Sequence, residues 1–309
     1  MVFLTFICLL GLVRLLFHLS PVEEEPVARA TLPRVKPRLA APEPTPEFVT
    51  RSLRAELEQV VARYPASYGI VVFDPSSGKT VTLNPNQSFL AASLIKLPVL
   101  LTLYRAAARG EVDLDSEITM LSSDIQAYGT GVLYRRRVGT TITLRECARF
   151  MIKESDNTAW VMLNRFLGRR NIEAELYDMG ARSTSYWKPN TTTPTDVLVM
   201  LEKVADPSYT SPDLSAEMLD IMTGTSFEDR LPQPLPERAR VAHKIGSLGD
   251  TFSDAGLVFP EGSQDAYYIV VFAGDTTEWT ARSAIQDMSL AAYEFLANPG
   301  PESRDKQNT

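Results

Sequence analysis

The sequence predicts an α+β fold: an α/β/α sandwich whose antiparallel sheet is built from both ends of the chain, plus an inserted all-helical region. Three observations predict it. Strand-like runs cluster at the start and at the end of the folded part, each cluster carries one helix, and the stretch between them, about 89–235, has helical spacing. A two-stranded hairpin is marginal alone, so strands from the two ends are expected to pair in one sheet covered by the terminal helices.

Taken in order, Leu53, Leu57, Val60 and Tyr64 recur at helical spacing and stop at Pro65. "YGIVVFD" and "KTVTLN" flank "PSSG", two strands joined by a tight turn. In the middle, Thr143 and Glu146 form a capping box that opens a helix through Lys153; a second runs from Thr158 to Leu167 and stops at Gly168, and others stop at Gly180 and Gly224. "HKIGSLGD" at 243–250 leads into the strand "TFSDAGLVF", and "AYYIVVFAG" follows after "PEGSQD". Ala281, Ala284, Ile285, Met288, Ala292 and Phe295 mark the last helix. There is no internal repeat, and the cleft between sheet and helical insert is the natural place for a site.

The folded part, 47–297, is flanked by segments of other kinds. Residues 1–19 are apolar enough to meet a membrane as an anchor or signal segment. An uncleaved anchor is favoured, because Ala28, Arg29 and Ala30 imitate a cleavage site but lie well past the apolar run. Residues 20–46 hold seven prolines at 21, 26, 33, 37, 42, 44 and 46 and read as a semi-extended linker. Residues 298–309 are a polar tail. An anchor plus a spacer predicts a unit held outside the cytoplasmic membrane, or secreted if the segment is cut.

Composition narrows the function. With 309 residues, 44% hydrophobic and 22% charged, the chain is ordinary for a globular protein, and a net charge of −7 offers no basic stripe for nucleic acid. Two cysteines, Cys8 and Cys147, exclude a disulfide framework; two histidines, His18 and His243, are too few for a histidine-rich metal site. Neither GxSxG nor HExxH occurs, no metal or organic cofactor is needed, and a monomer is expected.

Chemistry enters at "FLAASLIKLPVL", residues 89–100, where Ser93 and Lys96 are the polar exceptions. Three apart, they share one helix face, and desolvation presses the lysine toward its neutral form, a base beside a nucleophile. The SxxK pattern occurs four times, but Ser76, Ser185 and Ser303 begin copies in a turn, a loop and the tail; only Ser93 opens an apolar helix, whose N-terminus favours an oxyanion. "SGKT" at 77–80 is no phosphate loop, because position 73 is Phe73. Ser155, Asp156 and Asn157 sit between two helices, where such residues also serve as caps. Lys244, Gly246 and Ser247 precede the late strand.

The order SxxK, SDN and K-x-G resembles the signature of class A β-lactamases and penicillin-binding proteins, serine acyl-transfer enzymes, over roughly 47–297. "ESDNTAW", "TTTPTD", "DRLP" and the run from "VAHKIGS" to "DAG" are similar to the class A branch. The resemblance implies the DD-peptidase/β-lactamase-like fold and a set of roles. Ser93 attacks, Lys96 removes its proton, and Ser155 relays a proton to the leaving nitrogen. Lys244 holds positive charge near Ser155 and the substrate carboxylate; Asn157 orients Lys96 and binds substrate amide. The backbone N–H groups of Ser93 and Ser247 form the oxyanion hole, beside Gly246.

Two positions depart from the family pattern. Ile245 stands where a Thr or Ser hydroxyl belongs, and "YWKPN" puts Lys188 where the family has the glutamate that activates the deacylating water. Acylation with slow hydrolysis is therefore expected, Glu173, Glu175 and Glu228 being conceivable substitutes. The substrate is a β-lactam or a peptidoglycan stem peptide. Alternatives are a D-alanyl-D-alanine peptidase or transpeptidase, a non-hydrolytic penicillin-binding sensor, and a Ser-His-Asp hydrolase using His243.

Overall fold

The computed structural model describes residues 46–297. Helix α1 (Pro46–Arg63) buries Leu53, Leu57 and Val60, and leads into strands β1 (Ser67–Asp74) and β2 (Lys79–Leu83), paired antiparallel with Ile70 opposite Leu83. The insert follows: β3 (Phe89–Leu90), a 3-10 turn Ala92–Ile95, α2 (Lys96–Ala108), β4 (Glu117–Thr119), β5 (Thr141–Thr143), α3 (Leu144–Lys153), α4 (Asn157–Leu167), α5 (Arg169–Met179), β6 (Thr191–Thr192), α6 (Pro194–Ala205) and α7 (Pro212–Ile221). The chain then returns through β7 (Arg240–Leu248), β8 (Thr251–Phe259), β9 (Tyr267–Gly274) and α8 (Glu278–Ala297).

The sheet has the order β2-β1-β9-β8-β7, so strands from the two ends meet at β1 and β9. Its alternation divides the core in two. On β9, Tyr267, Ile269, Val271 and Ala273 pack with α1 and α8, whereas Tyr268, Val270 and Phe272 pack with the helical insert. Each fully buried aliphatic or aromatic side chain contributes about 1.5–3 kcal/mol, and burial on both faces fixes the register. On β7 the same period of two sends Val241 to the face of the terminal helices and Ala242 to the insert.

Helix ends follow local chemistry. The Thr143 hydroxyl accepts from Glu146 N at 3.0 Å and Glu146 Oε2 accepts from Thr143 N at 3.0 Å, the reciprocal box read from sequence. Helix α4 stops at Gly168 (φ 79°) and α5 at Gly180 (φ 99°).

Three details differ from the sequence expectations. The insert carries two short ribbons, β3 with β6 and β4 with β5, because runs of two or three residues are too brief to show a period. Residues 243–248 lie within β7 rather than leading into a strand; His243, Lys244 and Gly246 interrupt its apolar pattern. Helix α8 starts at Glu278, earlier than its apolar stripe suggests. The expected membrane segment, residues 1–19, residues 20–45 of the linker and the tail lie outside the described residues; among the described residues no helix is long and apolar enough to cross a membrane.

Candidate active site

A cavity of about 420 Å³ opens where the helical insert meets the edge of the sheet. Ser93 sits in the 3-10 turn just before α2, and Lys96 is the first residue of that helix. Pro98, in the first turn, has no N–H to leave unpaired. Ala92, immediately before the serine, has a φ of 47°, a left-handed conformation that costs a non-glycine residue roughly 1–2 kcal/mol. Ala91 N donates to Asn190 O at 3.0 Å and holds the turn from behind.

Lys96 Nζ lies 3.2 Å from Ser93 Oγ, 3.1 Å from Ser155 Oγ and 2.8 Å from Asn157 Oδ1. From β7, Lys244 Nζ donates to the same Ser155 Oγ at 3.0 Å. Both lysines are only 2% exposed. Burial, and secondarily the charge of Lys244, pushes Lys96 well below the ordinary lysine value against the pull of Asp156. Burial likewise lowers Lys244 to about 7, with Asp254 opposing and Arg230 assisting. One hydroxyl thus joins two amines, of which Lys96 is the one that reaches Ser93.

The Ser155 turn is held under strain. Ser155 has a φ of 49°, and its carbonyl accepts from Lys96 Nζ and from Thr130 Oγ1. Asp156 is the helix cap: Oδ1 accepts from Ala159 N at 2.9 Å. Its other oxygen accepts from Val132 N at 2.6 Å and Leu133 N at 2.8 Å, which draws the loop at 129–133 against the turn. Asn157 completes the link by donating to Tyr128 O at 3.2 Å, and Tyr128, 73% exposed, stands at the cavity rim.

Gly246 lets β7 approach the nucleophile. A Cβ there would lie 2.6 Å from Ser253 Oγ and 3.1 Å from Ala91 O, so any side chain would push the strand off the Ser93 turn. Ile245 and Ser247 also line the cavity, and Ser247 Oγ accepts from Arg230 Nη2 at 2.6 Å.

Arg230 is the residue sequence reasoning missed. It is 2% exposed, donates to Gly246 O at 2.9 Å and Ser253 O at 2.7 Å, and lines the cavity with no carboxylate at ion-pair distance among the described residues. A buried guanidinium without an anion is costly, and its Nε has no partner either. In the sequence its only mark is the run "DRLP", which is similar to the class A branch but carries no sign of the burial of its arginine.

The family model described as "Beta-lactamase enzyme family" matches residues 52–296. The chain belongs to that family. Among curated relatives, a β-lactamase of Bacteroides uniformis is 27% identical over 276 residues, covering 79% of this chain and 91% of the relative. Among solved structures, PBP-A aligns with a TM-score of 0.75 at 28% identity, covering 80% of this chain and 96% of PBP-A. A variant of PBP-A in an acyl-enzyme complex with penicillin G aligns with the same score and identity, covering 80% of this chain and 97% of that one. The coarse assignment is a serine enzyme of the β-lactamase or penicillin-binding type, and its family fold is the architecture described above.

Against the family pattern, the departures read from sequence acquire positions. Lys188 is exposed and does not line the cavity. None of the three conceivable substitute glutamates reaches Ser93. Glu173 pairs with Arg169 at 3.5 Å, Glu175 accepts from the Tyr209 hydroxyl, and Glu228 accepts from Thr225 N at 2.6 Å and pairs with His243. The cavity's two carboxylates, Asp229 and Glu278, both pair with Arg282, at 2.9 and 3.0 Å. His243 does not serve Ser93: Nδ1 is 2.8 Å from Asp254 Oδ1 and Nε2 is 3.2 Å from Glu228 Oε1, so both ring nitrogens are committed. That removes the Ser-His-Asp reading. Cys147 is a buried small hydrophobe.

Proposed function

We propose that this protein opens β-lactam amides through an acyl-enzyme on Ser93 and releases the product slowly. The observation that carries the reading is a buried, deprotonation-prone amine 3.2 Å from the Ser93 hydroxyl. Neutral Lys96 takes the proton as Ser93 Oγ bonds to the carbonyl carbon. The amide C–N bond then breaks, and Ser155, hydrogen-bonded to both lysines, passes a proton to the leaving nitrogen. The N–H groups of Ser93 and Ser247 are assigned to the oxyanion, where loss of one donor typically costs about 3 kcal/mol. Asn157 orients Lys96 and receives the substrate amide. Lys244 and the unpaired guanidinium of Arg230 receive the substrate carboxylate, a task for which Ile245 supplies no hydroxyl.

Slow release follows from what lines the cavity. The ester on Ser93 needs a base to activate water, and the two carboxylates that line the cavity are both engaged in ion pairs with Arg282. The same observation favours a second reading: a D-alanyl-D-alanine peptidase or transpeptidase acting on peptidoglycan, whose acyl-enzyme passes to water or an amine without a dedicated glutamate. The proposed setting is extracytoplasmic, tethered by residues 1–19. Steady-state turnover of a chromogenic cephalosporin, measured beside release of D-alanine from a D-alanyl-D-alanine peptide, tests the choice. A single stoichiometric burst with the cephalosporin supports slow release; sustained rapid turnover refutes it; catalytic D-alanine release selects the second reading.

A further inference from the structure

His243 is the one histidine among the described residues, it is fully buried, and the chemistry above does not use it. Its surroundings are specific. Asp254 on β8 faces Nδ1, with its two oxygens at 2.8 and 3.0 Å, while Glu228 faces Nε2 at 3.2 Å. Burial opposes the charged ring, but Asp254 and then Glu228 outweigh it and raise its pKa to about 9. At neutral pH an imidazolium therefore bridges two carboxylates.

The bridge encloses a short segment. Asp254 Oδ2 also accepts from Leu231 N at 3.0 Å. Residues 228 and 231, the two ends of the segment carrying Arg230, are thus attached to one ring: Glu228 directly, and Leu231 through Asp254. Helix α8 holds the segment from the other side, where Gln286 donates to Asp229 O at 2.8 Å and Ser289 to Leu231 O at 2.7 Å. Arg230 then turns inward toward Ser247 and the cavity.

We propose that His243 is a positioning residue for anion recognition: by bridging Glu228 and Asp254 it fixes the segment 228–231, so that Arg230 meets the substrate carboxylate at a set place. The ring touches neither substrate nor Ser93, and the inference rests on the functional reading above. It separates two properties of the site. Ser93, Lys96 and Ser155 set how fast an amide is opened, while His243 sets how strongly an anionic substrate is preferred over a neutral one.

The test compares benzylpenicillin with its methyl ester on the intact protein, measuring the second-order acylation constant for each with parent, His243→Ala and His243→Asn. The acid-over-ester preference is expected to fall about tenfold in His243→Ala, the effect of losing one charge-assisted interaction, with the ester rate changed less than about twofold. His243→Asn, whose amide can still donate to Asp254, should recover part of the preference. Equal losses for acid and ester, or an unaltered preference, overturn the proposal. Hydrogen exchange supplies a readout that needs no substrate: the amides of Thr225 and Leu231 should exchange at least about tenfold faster in His243→Ala, while β9 stays protected. Unchanged exchange at both amides overturns the bridge. A parent that neither penicillin acylates overturns the functional reading, and the exchange result then still decides whether His243 holds the segment.

Discussion

The cavity has a helical wall and a strand wall, and they are built on different principles. On the helical wall Ser93 and Lys96 are three residues apart, Ser155 and Asn157 two apart, and their strain is local, in the positive φ of Ala92 and Ser155. On the strand wall, Ser247 comes from β7, with Lys244 buried beside it, and Arg230 comes from the loop ahead of β7, whose backbone is held by Asp254 on β8 and by α8. The helical wall carries the proposed nucleophile, base and proton relay, and the strand wall adds the Ser247 N–H assigned to the oxyanion and the Lys244 bond to Ser155. The strand wall carries one of the two departures from the family pattern, Ile245, and its cations are held by contacts distant in sequence. On the proposed reading, proton transfer depends on the first wall and recognition of the substrate anion on the second.

The largest effect should come from the helical wall. Lys96→Ala is expected to slow acylation by about a thousandfold, within the range for loss of a general base, with an unchanged circular dichroism spectrum. Lys96→Arg should not restore it, because a guanidinium does not give up its proton. Lys244→Ala should cost less and should act chiefly on binding. If the two alanine variants were equally impaired in the chemical step, the division between the walls would fail.

Gly246→Ala is the next effect in size. The new methyl would lie 3.1 Å from Ala91 O and 3.3 Å from Ala92 Cβ, so β7 must move off the Ser93 turn, and acylation should fall by roughly tenfold or more. The pH profile follows. Lys244 titrates at about 7, so its ammonium is lost as pH rises through that value, and acylation by an anionic penicillin should decline on the alkaline side. Lys244→Arg keeps the charge and should move that decline to higher pH; a profile unchanged by the substitution would remove Lys244 from anion binding.

Smaller effects sharpen the strand wall. Ile245→Thr returns a hydroxyl to the cavity and should tighten penicillin binding by a factor of about 2–10, read from saturation of the acylation rate. His243 makes a thermodynamic mark. Its pKa is raised in the folded protein to about 9 from an ordinary 6.5, so its contribution to stability is complete below about 6.5 and is lost as pH rises through about 9. Lys244 has the opposite sign, because its folded pKa is depressed, and it adds stability as pH rises above about 7. The informative quantity is therefore the difference in melting temperature between parent and His243→Asn, which should shrink between pH 7 and 9. A difference constant across that window would mean that the ring is not charged in the folded protein.

The contrast between the walls also explains what the sequence disclosed. Ser93 with Lys96, and the Thr143 box, are sentences written within three residues, and spacing alone reads them. The sheet was legible because apolar strands stand at both ends of the chain, and Pro65, Gly168 and Gly180 mark where helices stop. The full extent of β7 is hard to read because His243, Lys244 and Gly246 break the apolar pattern of a buried strand for reasons that lie in its neighbours: a carboxylate on β8, a hydroxyl on the Ser155 turn and a close backbone. Arg230 was invisible for the same reason. Its burial depends on Gly246 O and Ser253 O, up to 23 residues away in the chain.

Intact mass spectrometry of the protein mixed with benzylpenicillin tests the central claim most directly. The parent should gain the mass of one penicillin and keep it after excess drug is removed, and Ser93→Ala should gain nothing. A parent that never carries the adduct, or an adduct that persists in Ser93→Ala, would contradict it.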